Sequence, residues 1–165
     1  MKAFADTNVL IYAVTQDDLR KKGVAQALLA ARQPEPVCIS TQVLGEVYNV
    51  LTRRKSWVPA QALLAAQAFA KLSVVVPRVD AVLRALQLAG RHQLSTWDAL
   101  IVQAALEAGC DVLYSEDLQA GQRFGALQVV NPFSPQVQET GPDYAAPRKV
   151  ALRRASKGPA KARKA

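Results

Sequence analysis

The chain's 165 residues, half of them hydrophobic, suit one domain with or without a tail and suffice to bury a core. No apolar run reaches the roughly 18 residues of a membrane span, Asp6 arrives too early for a signal peptide, and Cys38 and Cys110 read as small buried residues, so the expectation is a cytoplasmic protein with no membrane association. The net charge of +8 is uneven: residues 141–165 carry eight basic and one acidic side chain, and the other 140 residues carry 13 and 12. Taken in chain order, residues 3–5 read as a first strand and 8–15 as a short helix. Residues 17–32 follow as a helix on Val24, Ala27, Leu28 and Ala31 at i, i+3, i+4 and i+7, stopped by Pro34 and Pro36. A second strand is expected at 37–39. The span 41–54 is an amphipathic helix on Val43, Leu44, Val47, Val50 and Leu51, and 60–71 is another after the Trp57–Pro59 turn. A β-branched run at 73–76 gives a third strand, then helices cover 79–92 and 96–108, with Gly109 as the C-terminal stop of the second. Strands at 112–114 and 127–130 complete the pattern. Strands separated by helices imply parallel pairing and an α/β/α three-layer domain.

Four acids fall where such a sheet binds ligands. Asp6 closes the first strand and Asp117 follows the fourth, while Glu46 and Asp98 sit near helix starts. Each has an ordinary structural explanation. Asp6 can cap the following helix, although Asp6-Thr7-Asn8 offers more capping groups than one helix needs. Glu46, about 100° from the centre of its helix's apolar stripe, can be a surface side chain. In Ser95-Thr96-Trp97-Asp98 a capping box would engage Asp98, which lies about 90° from a stripe of Trp97, Leu100, Ile101, Ala104 and Ala105. Glu116 and Asp117 can cap the turn from Leu118 to Gly121.

The argument for function is collective. Two carboxylates about 4 Å apart repel by about 4 kcal/mol at an effective dielectric of about 20. Several in one cleft therefore need raised pKa values or a divalent cation, and hard oxygen donors select Mg²⁺ or Mn²⁺. Phosphodiester cleavage is the chemistry such a site serves. Other chemistries lack their residues. The single His92, at a helix end, excludes His-pair nucleases and His-rich zinc sites, and its simplest role is as a partner of the helix dipole. The sequence contains no GxxxxGK[ST], GxGxxG or GxSxG motif.

The segments Phe4-Ala5-Asp6-Thr7-Asn8-Val9-Leu10-Ile11-Tyr12, Glu46 in its helix, Trp97-Asp98-Ala99-Leu100-Ile101, Leu113-Tyr114-Ser115-Glu116-Asp117-Leu118-Gln119 and the closing Asn131-Pro132-Phe133 occur in the order and spacing of one family. Over roughly residues 1–133 the chain resembles PIN-domain ribonucleases, particularly VapC-type toxins of toxin–antitoxin pairs. The resemblance implies a central parallel sheet of about five strands flanked by helices. It implies Mg²⁺- or Mn²⁺-dependent cleavage of single-stranded or structured RNA, with Asp6, Glu46, Asp98 and Asp117 as the metal-binding, catalytic acids. Thr7, Asn8 and Ser115 match polar positions that orient ligands or water, and Glu116 matches a common extra acid. A small antitoxin and a homodimer are the implied partners, with the helices at 41–54 and 60–71 as candidate surfaces. Residues 1–135 would form the nuclease domain. Residues 136–165 would be a disordered basic tail that the family does not share, and a candidate RNA arm. Two alternatives stand beside this reading: a PIN-fold protein that binds RNA without cutting it, and a hydrolase of small phosphate esters.

Overall fold

A computed structural model describes residues 1–31 and 35–135. Pro34 and the expected tail at 136–165 lie outside the described residues. The elements are β1 (Ala3–Ala5), α1 (Thr7–Val14), α2 (Leu19–Ala30), β2 (Cys38–Ser40), α3 (Thr41–Arg54), α4 (Pro59–Phe69), β3 (Ser73–Val75), α5 (Val79–His92), α6 (Thr96–Glu107), β4 (Val112–Tyr114), β5 (Arg123–Phe124) and β6 (Leu127–Val130). Local chemistry sets the helix starts. Ser40 caps α3 by accepting from the Val43 amide at 3.3 Å, Asp18 caps α2 through Lys21 N at 2.9 Å, and Pro59 opens α4 where its missing N–H costs nothing. Gly109, at φ +65°, takes the left-handed turn that ends α6 and leads directly into β4.

The sheet runs β3-β2-β1-β4-β6-β5, parallel throughout except for β5 against β6. The expected sheet of about five parallel strands is therefore extended by one short antiparallel strand. Arg123–Phe124 turns back through Gly125 (φ +62°) so that Phe124 pairs with Leu127. Two residues carry no alternation to read, which is why β5 left no periodic trace. Phe124 is buried and meets the His92 ring edge-on, with centroids 5.0 Å apart. His92 thus has a packing role beyond the helix-dipole partnership expected of it.

From β1 the chain steps outward through β2 and β3, then returns across the sheet to β4. Right-handed crossovers put α1–α4 on one face and α5–α6 on the other, in keeping with the packing of α1 on α2 and α3, α3 on α4, and α5 on α6. The core between these layers holds Phe4, Val9, Leu10, Ile39, Val43, Val47, Leu51, Val102, Leu113, Leu127 and Val129 with no more than 2% exposure each. Each such side chain contributes about 1.5–3 kcal/mol of burial. Cys38 and Cys110 are buried and form no disulfide, and burial pushes the Cys110 thiol up to about 12, an unreactive state. Among the described residues no helix is long and apolar enough to cross a membrane. The strand order reverses between β1 and β4, and such a reversal leaves a crevice beyond the carboxyl ends of the two strands.

Candidate active site at the strand-order reversal

Asp6 leaves β1 at that crevice and caps α1, its Oδ1 accepting from Thr7 N at 2.6 Å. Ser115 leaves β4 beside it, because Ala5 pairs with Tyr114 and Asp6 N donates to Tyr114 O at 3.0 Å. The Ser115 hydroxyl donates to the second carboxylate oxygen of Asp6 at 2.7 Å. It also accepts from the amides of Asp117 and Leu118 at 3.2 and 3.4 Å, which fixes the turn that carries Asp117. Asp6 is 4% exposed and Ser115 fully buried.

The remaining contacts converge on this pair. Thr7 Oγ1 donates to Glu46 Oε2 at 2.5 Å, bringing α3 to the end of β1. Asn8 Nδ2 donates to Asp117 Oδ2 at 3.2 Å, and its own Oδ1 is buried with no hydrogen-bond partner. Burial pushes the Asp6 carboxyl up from 3.8 to about 6. The bonds from Ser115 and Thr7 oppose that rise, and the charges of Asp117 and Glu46 add to it. Asp6, Glu46 and Asp117 therefore share one electrostatic site.

Asp98 stands differently. Ser95 caps α6, accepting from Asp98 N at 3.1 Å and donating to Asp98 Oδ2 at 2.7 Å. This is the capping arrangement that competed with a functional reading of the residue, made side chain to side chain. Asp98 is half-buried and bonds none of the other acids; the tie between the start of α6 and those acids is made by Gln42 to the carbonyl of the neighbouring Trp97. The Gln42 amide nitrogen donates to Glu46 Oε1 at 2.7 Å and to Trp97 O at 3.3 Å. Gln42 is a site residue that sequence reasoning missed, since a glutamine in the first turn of a helix carries no signal of its own. Glu116 does not join the acids. Tyr12 OH and Lys21 Nζ bond its carboxylate at 2.7 and 2.5 Å, and the lysine also lies 4.4 Å from the Tyr12 ring centroid. The expected stripe on α6 is also corrected: Ile101, Ala104 and Ala105 are buried, but Trp97 is 63% exposed.

Among the described residues no three acidic, His or Cys side chains stand together in metal-ligating geometry. The donor chemistry nonetheless suits a hard cation. All four candidates are carboxylates, burial and then the charges of Asp117 and Glu46 disfavour the ionised form of Asp6, and the Asn8 amide oxygen lies unpartnered beside Asp117. Asp117 is exposed and Asp98 is held only by its cap, so both can turn toward the crevice without breaking a buried bond.

The PIN-domain family model matches residues 3–123. A solved structure of Mycobacterium tuberculosis VapC20, a toxin that cleaves the sarcin–ricin loop, is 28% identical with a TM-score of 0.57, and the match covers 69% of this chain and 88% of that one. The VapBC-1 structure from nontypeable Haemophilus influenzae aligns at 18% identity and TM-score 0.60 over 81% of this chain and 100% of the other. VapBC2 from Rickettsia felis, bound to a DNA fragment from its promoter, aligns at 18% identity and TM-score 0.58 over 78% and 97%. At that identity the last two speak for the fold alone. Comparison with curated proteins gave no match.

Proposed function

The chain belongs to the PIN-domain family, and from that premise we propose that it is a metal-dependent endoribonuclease and the toxin of a toxin–antitoxin pair. The observation that carries the proposal is the meeting of Asp6, Ser115 and Asp117 at the β1–β4 reversal, with Glu46 close enough to raise the Asp6 carboxyl. Asp6 would be the fixed anchor of a Mg²⁺ or Mn²⁺ site, and Glu46, Asp98 and Asp117 would complete it. When bound, the cation supplies polarisation of a phosphoryl oxygen and a water that ionises near neutral pH.

The chain's own residues do the rest. Ser115 holds the Asp6 carboxylate and the Asp117 turn in one geometry. Thr7 and Gln42 hold one oxygen each of Glu46, which fixes the orientation in which that carboxylate would complete the site or position water. Asn8 fixes Asp117 from the α1 side. RNA is the proposed substrate, on the strength of the family and of the 28%-identical toxin.

A small antitoxin is the proposed partner, as the resemblance to VapC-type toxins of toxin–antitoxin pairs implies. The exposed Leu63 and Leu64 of α4 and Val79, Leu83 and Leu86 of α5 offer apolar surface for that antitoxin or for a second copy in a homodimer. The test is cleavage of a labelled RNA pool with Mg²⁺ or Mn²⁺, with chelator, and with Asp6→Asn. Discrete fragments lost with chelator and in the variant are expected. RNA binding without cleavage would replace the nuclease by a non-catalytic RNA-binding protein, and turnover of a mononucleotide ester without RNA cleavage would make it a small-ester hydrolase.

A further inference from the structure

Trp97 is out of place for a core residue. By periodicity it belongs to the apolar stripe of α6, yet it is the most exposed aromatic side chain among the described residues. The other tryptophan, Trp57, packs half-buried against the core. A tryptophan can bury on the order of 150–250 Å² of surface, so leaving most of one in water forgoes a large hydrophobic gain. Its backbone is also held where it matters. Trp97 precedes Asp98, and its carbonyl accepts from the same Gln42 amide nitrogen that bonds Glu46. The peptide under this indole is thus fixed to the acidic site through one side chain, with Ser95 anchoring the turn from the other end.

The polyanion this site would take needs a contact that carboxylates cannot give. The acids of the crevice repel a phosphate backbone, and outside residues 141–165 the chain is nearly charge-balanced. An exposed indole whose backbone is tied to the site through Gln42 can supply attraction that is independent of charge, because every nucleobase stacks on an aromatic ring once it is unpaired. We propose that Trp97 is a base-stacking platform for an unpaired nucleotide beside the scissile phosphodiester. This inference rests on the ribonuclease reading and adds to it a residue that holds the substrate.

The test uses full-length protein carrying Asp6→Asn, so that binding is read without cleavage, and a short unstructured oligoribonucleotide with its duplex as control. Indole emission is followed during titration, and Trp97→Phe assigns the signal that belongs to Trp97. Quenching by the single strand and not by the duplex, lost in Trp97→Phe, is expected. Affinity should fall on the order of tenfold in Trp97→Ala and much less in Trp97→Phe. In the cleaving protein, Trp97→Ala should raise KM for a looped substrate more than it lowers kcat.

Wild-type affinity and cleavage in Trp97→Ala would overturn the stacking role while leaving the nuclease intact. Emission that changes with protein concentration alone and not with RNA would also overturn it, placing Trp97 between copies of the chain. Metal-dependent cleavage missing from wild type and variant alike would instead bring down the nuclease reading itself.

Discussion

At the ends of β1 and β4, Asp6 and Ser115 are 4% and 0% exposed, and both Asp6 oxygens are hydrogen-bonded. At the start of α6, Asp98 is half-buried, bonded to one surface serine, and followed back along the chain by an exposed tryptophan. The two halves carry the same carboxylate chemistry under opposite physical conditions. The strand-end half is set in advance, at the cost of a carboxyl whose ionised form burial disfavours. The helix-start half is solvated and can turn, so it can adjust to a cation or a substrate. A site built this way keeps one rigid reference point and lets the groups around it close on the ligand.

The pair Asp6→Asn and Asp98→Asn tests this contrast most strongly. Both substitutions should lower metal-dependent RNA cleavage, by at least on the order of 100-fold, because each removes a proposed ligand. Their effects on the metal-free fold should diverge. The Asp6 carboxyl titrates at about 6 in the folded chain, against about 3.9 when unfolded. The native state therefore holds its proton to higher pH than the unfolded chain. The stability this contributes is complete below about pH 4 and lost as pH rises through about 6, amounting to about 3 kcal/mol. Urea unfolding in chelator should show wild type losing that increment between pH 4 and 7.5, with Asp6→Asn nearly flat over the same window. Asp98→Asn leaves Asp6 in place and should keep that increment. Parallel curves for wild type and Asp6→Asn would mean that the strand-end half is no more preset than the helix-start half.

Ser115→Ala probes the rigid half alone. It strips a buried donor from Asp6 and an acceptor from the Asp117 and Leu118 amides. The expected cost is about 1–3 kcal/mol in thermal or urea unfolding, with the Asp6 titration moved higher still. A smaller loss would show that water replaces the hydroxyl and that the crevice is wetter than its burial indicates. Glu116→Gln draws the boundary of the site from outside. Lys21 and Tyr12 already occupy its carboxylate, so metal-dependent cleavage should stay within about twofold of wild type, as expected of a side chain away from the chemistry. Asp117→Asn, one residue on, should not be spared. Equal losses in the two would return Glu116 to the metal site.

The same contrasts separate what the amino-acid sequence reveals by itself from what only the fold creates. The ranges of α3, α5, β4 and β6 were legible because each has clean periodicity or a β-branched run between firm stops. Asp6 stood out because Asp6-Thr7-Asn8 offers more capping groups than one helix needs, whereas Asn8 and Ser115 were readable only through the family resemblance. Burial was not. Nothing in the letters separates a 4%-exposed Asp6 from an exposed Asp117, since the difference comes from strands more than 100 residues apart. Glu116 looked like a fifth acid because its lysine lies 95 positions earlier. Trp97 fell on the helical stripe, yet it is exposed while Ile101, Ala104 and Ala105 of the same stripe are buried, a difference set by tertiary packing and not by periodicity.

Gln42→Met gives the smallest effect and the finest test, because Gln42 is the hydrogen-bonded link between the two halves. Its amide nitrogen serves Glu46 Oε1 and Trp97 O together. Methionine nearly conserves the volume and removes both bonds. Neither acceptor is left dry, because Glu46 is half-buried and the Trp97 contact is exposed, so the loss of stability should stay below about 1 kcal/mol. The informative quantity is the coupling in cleavage between Gln42→Met and Trp97→Ala. If the amide holds the indole over the site, removing the indole leaves the amide less to position, and the double variant should lose less than the product of the single losses. Simple multiplication would mean that the halves act independently, with the rigid end binding the cation and the helix start meeting the RNA without a shared support.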